Sequence, residues 1–150
     1  MDSISEILNK AKQRAEQMKL PYAGALLPIE AYELMRSVAG AKLIDVRTKA
    51  EWDFVGRVPG SVPIEWQTYP NSEPNPRFLE ELKGQTGKDD IVMFLCRSGA
   101  RSHAAASAAT EVGFAHSYNV LQGFEGDRDA HGHRASVGGW QFAGLPWMQG

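Results

Sequence analysis

Cysteine is almost missing: Cys96 is the only one in 150 residues. That excludes an internal disulfide and a Cys-rich zinc site, and it suits a reducing, cytoplasmic compartment. Charge of one sign is also lacking. Sixteen Lys and Arg against eighteen Asp and Glu leave a formal charge of −2, so no basic surplus points to nucleic acid or to an anionic membrane surface. Long hydrophobic runs are absent, none approaching the roughly 20 residues of a membrane span, and mean hydropathy is −0.35. Met1-Asp2-Ser3 offers neither the positive flank nor the apolar stretch of a secretory signal. What is present, 43% hydrophobic residues, suffices for one core but not for two comfortable domains.

Residues 1–20 read as an N-terminal amphipathic helix. Ile4, Ile7, Leu8, Ala11, Ala15 and Met18 recur at helical spacing from Ser3 to Lys19. Ser3 and Glu6 have capping-box spacing, and Pro21 ends the run. The helix is expected to pack on the domain, with a dimer contact as the other use of its apolar face. Residues 21–150 read as a single domain. Helices are expected at Pro28–Val38, Arg77–Leu82 and His103–Val112, with one turn at Ala50–Phe54 under a second capping box, Thr48 and Glu51. Strands are expected at Leu43–Val46, Ile91–Leu95 and Tyr118–Leu121. Ile91–Leu95 is continuously apolar, as a central parallel strand buried on both faces must be. Strands alternating with helices make this an α/β domain with a mostly parallel central sheet. The tail from Gly123 reads as loop.

The chemistry concentrates where that apolar strand ends, at Cys96-Arg97-Ser98-Gly99-Ala100-Arg101-Ser102. Open α/β sheets bind ligands beyond the carboxyl ends of their strands. A short turn entering a helix aims several backbone N–H groups at one point, at the positive end of the helix. Those amides, with the guanidinium groups of Arg97 and Arg101, stabilise a thiolate, the nucleophilic form of cysteine. An inert core cysteine would need neither two arginines nor a glycine beside it.

This heptapeptide resembles the active-site loop of rhodanese-type sulfurtransferases. Upstream, Leu43-Ile44-Asp45-Val46-Arg47, Glu51-Trp52 and Gly56-Arg57-Val58-Pro59-Gly60-Ser61 are similar in order and spacing to two further signatures of that family. Asn119-Val120-Leu121-Gln122-Gly123 resembles the strand and turn after the active-site helix, and Gly144-Leu145-Pro146 a family-like ending. The resemblance implies a three-layer rhodanese-like fold, helices covering both faces of the sheet. It implies a persulfide cycle in which Cys96 takes a sulfane sulfur from a donor such as thiosulfate. The loop from Arg97 through Ser98, Gly99, Ala100 and Arg101 to Ser102 would surround that sulfur, and cyanide, a small thiol or a protein thiol would accept it. No cofactor or metal is implied. A non-catalytic binding or regulatory module on the same fold is the alternative. Four residues separate Cys96 from Arg101, where cysteine phosphatases and arsenate reductases have five, and the tighter cup suits one sulfur better than a tetrahedral oxyanion. With no second cysteine, a persulfide on Cys96 must be discharged to another molecule.

Around this centre, Asp45 and Arg47 are expected near the rim, Asp45 orienting the loop and Arg47 pairing with Glu51. Trp52 and Phe54 are expected in the core. Arg57 replaces a histidine usual in the family, at a position expected to be structural. Phe124 replaces a second glycine, and residues 124–139 read as an insertion running close to Cys96. His131 and His133, with Asp127 and Asp129, raise a metal reading, against which a solvated charged loop is preferred. His103 and His116 are expected at the surface.

Overall fold

The computed structural model describes residues 3–149, so the first two residues of the N-terminal segment lie outside the described residues. Among the described residues there are seven strands: β1 (Gly24–Leu26), β2 (Lys42–Asp45), β3 (Val62–Pro63), β4 (Gln67–Thr68), β5 (Glu73–Pro74), β6 (Val92–Leu95) and β7 (Ser117–Val120). Five of them form one sheet in the order β1-β7-β6-β2-β3, every pairing parallel. The pair β4-β5 is a separate antiparallel hairpin. Five helices accompany them: α1 (Ser3–Met18), α2 (Pro28–Ser37), α3 (Lys49–Phe54), α4 (Phe78–Gln85) and α5 (Ala100–Glu111). Among the described residues, no helix is long and apolar enough to cross a membrane.

The side-chain alternation of the central strands builds two cores. Leu43, Met93, Leu95 and Val120 face one way and pack with Ala11, Ala31 and Leu34 of α1 and α2. Ile44, Val92, Phe94 and Cys96 face the other way and pack with Phe78 and Leu82 of α4 and Ala105, Ala106 and Ala109 of α5. This is the expected three-layer α/β arrangement. Alanines on α5 let the helix lie close over the sheet, so the residues at its N-terminus are held tightly against the end of β6.

Helix α1 belongs to the domain rather than hanging from it. A Cβ on Gly24 would meet backbone and Cβ of Ala11 at 2.8–2.9 Å, so helix and strand touch through their main chains. Arg14 donates to the carbonyl of Ala25 at 2.9 Å and forms a two-bonded ion pair with Glu30 at 2.6 and 3.0 Å. Glu30 also accepts the Leu27 amide at 2.8 Å, capping α2.

Three local expectations need correction. Strands β1 and β3 and the β4-β5 hairpin arise where no strand was expected, because two- and three-residue strands carry too little periodicity to be read. Helix α5 begins at Ala100 rather than His103, since Gly99 takes a left-handed φ of 119° as its N-cap and turns the chain into the helix early. Phe54, expected in the core, is 81% exposed, and Trp52 is only half-buried.

Past β7 the chain is irregular but anchored. Phe124 and Trp140 are fully buried, and the Trp140 indole donates to the carbonyl of Pro146 at 2.8 Å. The last residues return to the segment after α3 through a reciprocal backbone pair between Arg57 and Met148, both bonds 2.8 Å, which gives Arg57 a main-chain structural place.

Candidate active site

The sheet order puts the site in position. From β2 the chain leaves toward β3, and from β6 it leaves toward β7, so the two central neighbours send their following loops to opposite sides. A crevice opens at that divergence, beyond the carboxyl ends of the strands. It is a cleft of about 680 Å³, floored by Cys96.

Cys96 is 1% exposed. Its Sγ accepts the Gly99 amide at 3.0 Å, and the Ser102 hydroxyl lies 3.3 Å away. The sulfur therefore sits inside the turn between β6 and α5, facing the Gly99 amide and the positive end of a 12-residue helix. A second layer steadies the turn. Asn119 on β7 places Oδ1 2.6 Å from the Ser102 hydroxyl and donates through Nδ2 to the carbonyl of Gly99 at 3.3 Å. Behind Asn119, the Tyr22 hydroxyl lies 2.8 Å from Nδ1 of the exposed His103. Burial pushes the Tyr22 phenol up, although Asn119 pulls it the other way, so it stays a neutral O–H group.

The strap after β7 holds the loop from below. Phe124 N donates to the Cys96 carbonyl at 2.8 Å, and the amides of Glu125 and Gly126 donate to the Arg97 carbonyl at 3.0 and 3.1 Å. Gly123 makes the approach possible. Its φ is +65°, and a Cβ there would lie 2.5 Å from the carbonyl oxygen of Cys96, closer than any side chain tolerates.

The charged partners differ from the expected ones. Arg47 pairs with Asp45 rather than Glu51: its Nε and Nη2 reach the carboxylate at 3.0 and 2.7 Å, and Nη2 also donates to the Gly56 carbonyl at 2.7 Å. Both residues are buried, 1% and 0% exposed, so they brace the end of β2 and do not line the cleft. The guanidinium stacks 4.2 Å over the ring of Phe124, and this explains the departure at 124: the ring fills a buried place beneath Arg47. Glu51 pairs instead with Arg101, 50 positions away, through two bonds of 2.7 and 2.9 Å. It also accepts the Thr48 amide at 3.1 Å as half of the expected capping box. Burial alone would raise the Glu51 pKa, yet the Arg101 bond and charge prevail and hold it below the usual carboxylate range. Burial likewise opposes the charge on Arg101, and Glu51 raises it back above its ordinary value. Arg97 is exposed at the rim.

The remaining cleft wall was not foreseen. Phe54 and Tyr69, 81% and 70% exposed, stand on the same cleft as Cys96. Glu125 lines it too, whereas residues 127–137 fold back on themselves. There Asp129 accepts the amides of His131 and His133 at 2.8 and 2.9 Å and the Ser136 hydroxyl at 2.6 Å. These bonds hold its carboxyl below the usual range. Among the described residues, no three His, Cys, Asp or Glu side chains are grouped to hold a metal ion.

Comparison with known proteins agrees with this architecture. Residues 28–130 match the family model of the rhodanese-like domain. The chain is 36% identical over 125 residues to an uncharacterized protein of Rickettsia conorii, covering 79% of this chain and 92% of that one. It is 28% identical over 112 residues to thiosulfate sulfurtransferase 16, chloroplastic, of Arabidopsis thaliana, covering 73% and 89%. The crystal structure of Rv0390 from M. tuberculosis is similar with a TM-score of 0.79 at 46% identity, covering 86% of this chain and 99% of that one.

Proposed function

The chain belongs to the rhodanese-like family, and from that premise we propose that it is a sulfurtransferase working through a persulfide on Cys96. The observation that carries this reading is the place of the sulfur. Sγ lies at the floor of a cleft at the sheet's switch point, accepts a loop amide at 3.0 Å and faces the N-terminus of α5. These are surroundings that can receive an anionic sulfur carried on Cys96.

In the cycle, the Cys96 thiolate attacks the sulfane sulfur of a donor of the thiosulfate or persulfide type. The Sγ–S bond forms as the donor's S–S bond breaks, and sulfite or a thiolate leaves with the electron pair. The loop from Arg97 through Ser98, Gly99 and Ala100 to Arg101 and Ser102 surrounds the transferred sulfur. Arg97, at the rim, meets the incoming donor, and Arg101, clamped by Glu51, keeps the loop in register. Cyanide, a small thiol or a protein thiol then attacks the outer sulfur and releases Cys96. Asp45 and Arg47 support the site from beneath. Because the chain has one cysteine, the acceptor is another molecule, and a reducing cytoplasmic compartment suits such traffic.

The test is mass spectrometry after incubation with thiosulfate or an organic persulfide, followed by cyanide. One sulfur atom should appear on Cys96 and leave as thiocyanate, and Cys96→Ser should show neither event. No gain with any donor, together with stable capture of a partner protein, would favour the module reading instead.

A further inference from the structure

A run of hydrogen bonds leads from the buried sulfur to the protein surface. Ser102 Oγ lies 2.6 Å from Oδ1 of Asn119, with the Gly99 carbonyl at 3.1 Å and Sγ of Cys96 at 3.3 Å. Two oxygens at 2.6 Å need a proton between them, and an amide oxygen carries none, so Ser102 donates to Asn119. The amide cannot be turned over. Its Nδ2 donates to the Gly99 carbonyl at 3.3 Å, and an oxygen there would face another acceptor. Burial raises the Tyr22 pKa, and a hydrogen bond with Asn119 opposes it. Opposing it requires donation to the phenol oxygen, which the second Nδ2 hydrogen supplies. The Tyr22 proton is then left for Nδ1 of His103, 2.8 Å away. Ser102, Asn119 and Tyr22 are 0%, 4% and 6% exposed, so water does not substitute for a link, whereas His103 is exposed. Each proton along the run points away from Cys96.

We propose that Tyr22 and His103 are positioning residues that restrain Cys96: by drawing on the Asn119 amide they hold the Ser102 proton away from the sulfur. Their bearing on sulfur transfer rests on the sulfurtransferase reading above, although the restraint acts on the thiol itself. Hydrogen bonds in a chain polarise one another. An amide whose N–H donates to a phenol, which in turn donates to an imidazole, has a more basic carbonyl oxygen and a tighter hold on Ser102. Forming the thiolate calls that proton back to sulfur, so the tighter hold lowers the reactive population. Neither Tyr22 nor His103 lines the cleft, so they act through Ser102 and not on the donor. A tether between the two rings, 5.3 Å apart and edge-on at 71°, would serve stability only and would not slow Cys96.

The experiment reads two rates on the full chain, alkylation of Cys96 by iodoacetamide and sulfur gain on Cys96 from thiosulfate. Tyr22→Phe should raise both about threefold, part of the worth of one hydrogen bond, and leave the half-saturating thiosulfate concentration unchanged. His103→Phe keeps a ring against Tyr22 and loses the acceptor, so it should give the same gain. His103→Asn, which returns an acceptor oxygen near the place of Nδ1, should reverse that gain. In a Ser102→Ala background, Tyr22→Phe should change neither rate, because the group it acts through is gone. Slower or unchanged rates in Tyr22→Phe, or an equal acceleration without the Ser102 hydroxyl, would overturn the restraint. A parent chain that is alkylated yet gains no sulfur from thiosulfate or an organic persulfide would refute the sulfurtransferase reading alone, with the alkylation rates still deciding the restraint.

Discussion

The Ser102 hydroxyl has three groups in reach, Oδ1 of Asn119 at 2.6 Å, the Gly99 carbonyl at 3.1 Å and Sγ of Cys96 at 3.3 Å. A hydroxyl has one proton to give. Facing a neutral thiol, it donates to Asn119 or the Gly99 carbonyl and can accept the S–H. Facing a thiolate, it can turn its proton to sulfur. Ser102 is fully buried, so water does not replace it. Ser102→Ala should slow sulfur gain on Cys96 by about tenfold, the worth of one hydrogen bond to a charged group. Stopped mass measurements at a fixed donor concentration check this, and an unchanged rate would refute a role for the hydroxyl in reactivity.

The Asp45–Arg47 pair makes a prediction about stability. Both groups are buried, and one partner cannot be removed without stranding the other's charge. Asp45→Asn should cost about 3–5 kcal/mol in urea unfolding. Replacing both with apolar residues of similar volume should cost much less. A single-substitution cost below about 1 kcal/mol would place the pair among ordinary surface contacts.

Beneath the same guanidinium, Phe124 fills a closed space. Restoring the family's glycine by Phe124→Gly should destabilise the chain by about 3–5 kcal/mol, as emptying a buried aromatic site does. Gly123→Ala should fail for the opposite reason, its Cβ entering the Cys96 carbonyl at 2.5 Å, and should lower sulfur gain as well as the unfolding midpoint. A wild-type midpoint in either variant would contradict the packing described.

Glu51 gives a pH prediction. Its carboxyl is held below the unfolded value near 4.3, with burial opposing and the Arg101 bond and charge prevailing. A depressed carboxylate contributes stability that is fully present above the unfolded pKa and lost as pH falls through the folded one. The stability gap between the parent and Glu51→Gln should therefore be level above about pH 5 and close in more acidic solution. Unfolding curves at a series of pH values measure it, and a gap that persists unaltered into strong acid would mean the ion pair contributes nothing.

What the sequence determined by itself was local. A continuous apolar run, a lone thiol, a glycine and a start of helix follow one another at 91–103, and each constrains the next through backbone geometry alone. Strand, turn and helix, and with them the place of Cys96, were legible because neighbours in the chain decide them. The pairing of Asp45 with Arg47 lay within reach as well, since positions two apart on extended backbone share a face. Tertiary structure alone decided that Glu51 reaches Arg101 across 50 positions, that Asn119 on another strand holds Ser102, and that Phe54 stands in solvent beside the cleft. Those relationships arise from the order in which parallel strands are laid side by side. Short-range periodicity carries no trace of that order, because it is set by how the two faces of the sheet bury their apolar side chains.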